Sequence, residues 1–219
     1  MIHTIQAEAV RIPADGAFLP GDLVVPAGAT GIVLFVHGSG SSRFSVRNRH
    51  VAGALQDAHL ATLLFDLLSE QEDEDPAARF DIALLTRRLL AARRFIAARP
   101  DLSGLRVGYF GASTGAAAAL RAAAAAPEDV SAVVSRGGRP DMAGEALALV
   151  RTPTLLLVGG DDEDVLELNR HALARMTCAA CLEVIPGATH LFEEPGTLEQ
   201  VAARARAWFT RHLAGAGAA

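Results

Sequence analysis

From Gly31 onward, short apolar runs and longer stretches of helical period take turns along the chain. That alternation constrains the fold more than any other feature, because parallel strands need a crossover between them and a helix is the usual one. Gly31–Val36 is an unbroken apolar run, the pattern of a strand buried on both faces. The same reading places strands at Ala61–Phe65, Arg106–Phe110, Val130–Val134, Thr154–Val158 and Leu182–Ile185. Helices are expected at Arg79–Ala98, Thr114–Ala126, Val165–Met176 and Leu198–Leu213. Two alternating segments ahead of them, Ile5–Ile12 and Gly21–Val25, have short turns and fit an antiparallel addition at one edge. The expected fold class is α/β: a doubly wound, mainly parallel, eight-stranded sheet with helices on both faces.

Composition removes several kinds of chemistry. A length of 219 residues suits one domain, expected over residues 1–213 with a flexible tail at 214–219. The formal charge of −5 leaves no basic footprint, so nucleic acid is not expected as a partner. All 20 basic residues are arginines. Without lysine there is no Schiff base, no pyridoxal-phosphate anchor, no Walker lysine and no serine–lysine dyad. The two cysteines form Cys178-x-x-Cys181, but no second pair of ligands stands at zinc spacing, so they read as small, partly buried residues and no metal is expected. No basic n-region precedes an apolar core at the N-terminus, and the alanine-rich stretch Ala116–Ala126 is too short to span a bilayer. A soluble, cytoplasmic protein with no membrane partner is the expectation. The acidic run Glu70–Asp75 reads as a solvated loop or a pre-helix turn.

The chemistry gathers where strands end. Gly111-Ala112-Ser113-Thr114-Gly115 is a G-x-S-x-G sequence between an expected strand and an expected helix. A serine there sits on a tight, strained turn, with glycines where neighbouring segments approach and a helix N-terminus beside a developing oxyanion. The turn Gly159-Gly160-Asp161-Asp162 follows a later strand, and Pro186-Gly187-Ala188-Thr189-His190 follows the last. Serine, aspartate and histidine in that order, each just past a strand, is the arrangement of a nucleophile, an orienting acid and a base. Asp161 and Asp162 both qualify as the acid, and Asp141 is a further alternative. Immediately after the third strand, His37-Gly38-Ser39-Gly40 forms a glycine-rich turn. The N–H groups of Ser39 and Thr114 are the expected oxyanion hole. A phosphate-binding loop is excluded there, since the stretch has neither G-x-G-x-x-G spacing nor lysine.

These residues carry a resemblance. Over essentially its whole length the sequence resembles the small α/β-hydrolases of the dienelactone-hydrolase-like group, through His37-Gly38-Ser39-Gly40, Gly111–Gly115, Gly159–Asp162 and Gly187–His190. The resemblance implies an α/β-hydrolase fold without a large lid domain. It also implies a catalytic triad of Ser113, Asp162 and His190, Asp162 being the aspartate that ends the G-G-x-D turn. Dienelactone hydrolase proper uses a cysteine nucleophile, so serine at this position implies a carboxylic ester hydrolase instead.

The expected function is therefore hydrolysis of small, short-chain soluble esters through an acyl-enzyme, with no cofactor. Thioester cleavage, acyl transfer or perhydrolysis on the same triad is the alternative, and a non-catalytic binding protein a more distant one. Arg43, Arg47 and Arg49 follow the oxyanion turn, and Arg136 and Arg139 follow a strand at the same edge. They read either as a clamp for an anionic substrate or, preferably, as partners of Asp66, Glu70 or Asp141 that fix loops.

Overall fold

A computed structural model describes residues 7–214. Its eight strands are β1 (Glu8–Ala14), β2 (Ala17–Val24), β3 (Gly31–Val36), β4 (Leu60–Phe65), β5 (Arg106–Ala112), β6 (Ala132–Arg136), β7 (Thr154–Gly159) and β8 (Ala180–Ile185). They form one sheet in the order β1-β2-β4-β3-β5-β6-β7-β8. From β4 to β8 all neighbours are parallel, and β1 and β2 add antiparallel at the edge beside β4. Both the doubly wound parallel sheet and its antiparallel edge are as the sequence pattern indicates. The expected strand at Ile5–Ile12 begins outside the described residues, as do positions 215–219 of the expected tail.

The helices are α1 (Val46–Gln56), α2 (Glu70–Asp73), α3 (Pro76–Phe80), α4 (Ile82–Ala97), α5 (Thr114–Ala125), α6 (Glu163–Arg175) and α7 (Thr197–Leu213). Because side chains alternate across a strand, the apolar run of β3 feeds two cores at once. Ile32, Leu34 and Val36 pack with Leu85 and Leu89 of α4 and the alanines of α5. Val33 and Phe35 face the other way, with Val51 and Leu55 of α1 and Phe209 of α7. The alanines of α5 are short enough to bring that helix close onto the sheet, and Ala116–Ala119 are fully buried.

Three elements depart from the sequence reading. The helix expected over Arg79–Ala98 is two helices, because the Asp81 side chain accepts the Leu84 N–H at 2.9 Å and caps a fresh start. The acidic run is a short helix held by a capping box, with Ser69 and Glu72 exchanging hydrogen bonds. Helix α1 was not expected, since its arginines and asparagine mask a stripe of only Val51, Ala52 and Leu55. No helix among the described residues is long and apolar enough to cross a membrane.

Candidate active site

In a doubly wound sheet, the strand ends on either side of the order reversal leave an open crevice. Here β3 runs on to β4 on one side, while β5 opens the series on the other. The turn after β3, His37–Ser42, meets the passage from β5 into α5 at Ser113 beside that reversal.

Ser113 stands at φ +50°, ψ −123°. Such a backbone costs a non-glycine residue on the order of 1–3 kcal/mol and persists only when its surroundings impose it. They do so here on every side. The Ser113 N–H donates to the Arg136 carbonyl at 3.2 Å, and its own carbonyl accepts from Ala116 and Arg139 at 3.1 and 3.0 Å. A Cβ on Gly115 would lie 2.1 Å from the Val36 carbonyl oxygen, and one on Gly111 would lie 2.5 Å from Ala116 Cα. The two glycines of the motif thus let β3 and α5 close on the serine turn. Thr114 begins α5, so its N–H has no acceptor within the helix.

His190 sits in the turn after β8, with Nδ1 2.7 Å from Asp162 Oδ2. That carboxylate is mostly buried, on the residue just before α6, whereas Asp161 is exposed to solvent. Backbone bonds stitch the two turns together: Gly160 donates to Ile185 at 2.8 Å and Asp161 to Ala188 at 2.9 Å. Glu194 receives the Thr189 hydroxyl at 2.6 Å and its N–H at 3.1 Å, and this bonding lowers the Glu194 pKa. Nothing in the sequence distinguishes that glutamate from its neighbour Glu193. Ser113 and His190 border one cavity of about 210 Å³, together with Ser39, Arg47, Arg136 and Leu191. Among the described residues no hydrogen bond joins Ser113 Oγ to His190.

Two of the arginines pair as the preferred reading has it, and the Ser39 amide has a partner of its own. The Ser39 N–H donates to Thr114 Oγ1 at 3.0 Å, so in this state that amide serves the threonine hydroxyl rather than the cavity. Arg43 is paired through its guanidinium and its N–H with Asp66, the latter at 2.7 Å, and Arg49 reaches Asp22 at 3.2 Å. Arg139 makes a two-pronged bond to Asp141 at 2.8 and 2.7 Å, which occupies both that arginine and the alternative acid. Only Arg47 and Arg136 of the arginine set border the cavity with Ser113.

His37 was overlooked as a positioning residue. Its Nε2 accepts the Leu67 N–H at 3.0 Å, so the proton is on Nδ1, 3.0 Å from the Gly38 carbonyl. Burial pushes its pKa down, in keeping with a neutral ring that ties the turn after β3 to the turn after β4. A larger cavity of about 360 Å³ lies beyond it, against the Arg43–Asp66 pair, and includes neither Ser113 nor His190.

The family model described as the dienelactone hydrolase family matches residues 57–213. The chain belongs to the dienelactone hydrolase family. Its structure superimposes on a dienelactone hydrolase from Anabaena variabilis with a TM-score of 0.94 and 54% identity, over 96% of this chain and all of that one. A lidless α/β serine hydrolase from Xanthomonas campestris, 19% identical over 96% of each chain with a TM-score of 0.78, shares the fold. Two sequences of Mycobacterium tuberculosis, from strains CDC 1551 and H37Rv, are 56% identical over 213 residues and are named phosphoribosyl transferases. The match takes in 97% of this chain but 48% of theirs, so the chain spans about half the length of these relatives. The chain thus has the α/β-hydrolase fold of the dienelactone hydrolase family.

Proposed function

We propose that the chain is a serine hydrolase that cleaves small soluble esters through an acyl-enzyme. The observation that carries this reading is the pairing of His190 with Asp162 across 2.7 Å, on the same cavity as a serine held at φ +50°. In the proposed cycle Ser113 Oγ attacks the ester carbonyl while His190 Nε2 takes its proton. Asp162 holds the ring through Nδ1 and stabilises the imidazolium. His190 then protonates the departing alcohol, and water, activated by the same ring, releases the acid. The first step begins with rotation of Ser113 toward Nε2, since catalytic hydrogen bonds often tighten only around substrate. The Thr114 N–H is the first oxyanion donor, and the Ser39 N–H becomes the second when the Thr114 hydroxyl rotates away from it.

The phosphoribosyl transferase name belongs to proteins about twice as long. We assign that chemistry to the half of those relatives outside the match. A fluorophosphonate probe tests the reading directly. It is expected to label the native protein at Ser113 and to leave Ser113→Ala unlabelled. Ser113→Ala is also expected to lower kcat on 4-nitrophenyl acetate by at least about 10³-fold with the fold intact. Labelling elsewhere, or near-native turnover in the variant, would overturn the assignment.

A further inference from the structure

Arg136 closes β6, where its backbone pairs in register with Ala112, the residue before Ser113. Its side chain is only 7% exposed, and Nε is buried with no acceptor. Among the described residues the guanidinium has no ion pair and no hydrogen bond. The Phe192 ring lies 5.8 Å away, and the charge that acts on it is the like charge of Arg47. Burial, with that repulsion, pushes the Arg136 pKa down to about 10. Arginines that serve the fold look different here: Arg43, Arg88 and Arg139 each meet a carboxylate. A buried charge without a partner destabilises the folded state, so its retention in this place calls for a ligand of opposite sign. Both arginines line the cavity that Ser113 and His190 border. Arg47 comes to it from α1, across the crevice from β6. Its one partner among the described residues, Glu193 at 3.3 Å, is 65% exposed and screened by water, and Arg47 Nε is also buried without an acceptor.

We propose that Arg136 and Arg47 together hold a phosphomonoester dianion carried by the ester substrate. The proposal rests on the serine-hydrolase reading for the bond that is cleaved. The phosphoryl group itself is a handle, and no bond to phosphorus forms or breaks. One guanidinium fork already meets both oxygens of a carboxylate and balances its single charge. Two guanidiniums on one cavity match a group with two charges and three outward oxygens.

Three acetyl esters test this: 3-acetoxyphenyl phosphate, 3-acetoxybenzoate and methyl 3-acetoxybenzoate carry a dianion, a monoanion and a neutral group. The native protein is expected to prefer them in that order, with kcat/KM at least about 10-fold higher for the phosphate than for the neutral ester, mainly through KM. In Arg136→Gln the phosphate-to-neutral ratio is expected to collapse to about 1–2. Arg47→Gln, a change at a half-buried position, is expected to lower it several-fold and keeps the test alive where the buried substitution impairs folding. A ratio near 1 in the native protein, or a ratio unchanged in both variants, would overturn the proposal. Preference for the benzoate over the phosphate would overturn the dianion, and an equal loss on all three esters in Arg136→Gln would make Arg136 a transition-state group instead. Calorimetric titration of Ser113→Ala with phenyl phosphate separates this from the hydrolase reading. Binding that Arg136→Gln abolishes, with no ester turned over by the native protein, would sink the hydrolase and keep the anion site. Turnover without such binding would do the reverse.

Discussion

Asp161 and Asp162 are chemically identical neighbours, and only the turn they occupy tells them apart. The Asp161 N–H is tied to the Ala188 carbonyl and its side chain faces water, while Asp162 turns inward to His190. Asp162→Asn is therefore expected to lower kcat/KM by about 10²–10⁴-fold, because the amide no longer holds the imidazole in the required tautomer. Asp161→Asn is expected to stay within about threefold of native, as an exposed side chain with no role in the pair. Steady-state kinetics on one short ester checks both, and the opposite pattern would move the role to Asp161. At this scale the sequence was only partly legible. Ser113 and His190 stood out by type, order and position past a strand. The Thr114 hydroxyl on the Ser39 amide did not, because a contact across 75 positions leaves no local signature. The arginines divided for the same reason: a sequence counts charges, but whether Arg139 meets Asp141, or Arg136 meets no carboxylate among the described residues, is decided by the fold.

The serine turn works as a joint between elements. Strand β3, the first turn of α5 and the end of β6 all press on Gly111–Gly115, and the strain at Ser113 is held by packing that leaves no room for a methyl group at Gly115. Gly115→Ala is expected to destabilise the protein by about 3 kcal/mol through overpacking, a fall of roughly 6–12 °C in Tm for a chain of this length. Activity should fall with it, because the carbonyls of Val36 and His37 can yield only by shifting the turn after β3. A thermal melt and a kinetic assay on the same variant check both, and a native-like Tm would mean the turn is looser than its geometry. Elements with long apolar runs were legible in the sequence, since β3 and β7 are buried on both faces and tolerate only apolar residues. Helix α1 was not, because it touches the sheet through a narrow stripe, and the break at Asp81 was hidden inside a continuous helical period.

For the molecule as a whole, pH and substrate size are the accessible levers. His37 is buried and its pKa lies below the ordinary 6.5. A depressed histidine favours the neutral folded form, so its contribution is fully present above about pH 6.5 and is lost as pH falls from there toward the folded pKa. His212 has a shift of the same sign, so the difference between native and His37→Gln isolates the residue. Tm measured from pH 8 to pH 5 is expected to fall more steeply below pH 6.5 in the native protein than in the variant. Equal slopes would remove His37 from the account. As for substrates, the cavity at Ser113 holds about 210 Å³, below the roughly 300 Å³ at which drug-sized sites begin, and Leu191 is the large apolar side chain on its wall. Each further methylene could add at most about 0.8 kcal/mol, and only where an apolar surface receives it. kcat/KM on a graded series of 4-nitrophenyl esters is expected to peak between about two and six acyl carbons, with no activation on emulsified triglyceride. A rise that continues into long chains would reveal an acyl groove that opens on binding.

The sequence alone determined the mainly parallel sheet with helices on both faces, the strand ends that carry chemistry and the serine, histidine and paired aspartates placed on them. Each of those follows from local pattern: periodicity fixes strand or helix, and a glycine-rich turn past a strand fixes the edge. The tertiary structure decided which aspartate meets His190, which arginines are neutralised and which amide the Thr114 hydroxyl occupies. Those choices depend on distances between residues far apart along the chain, and on whether burial leaves a charge a partner.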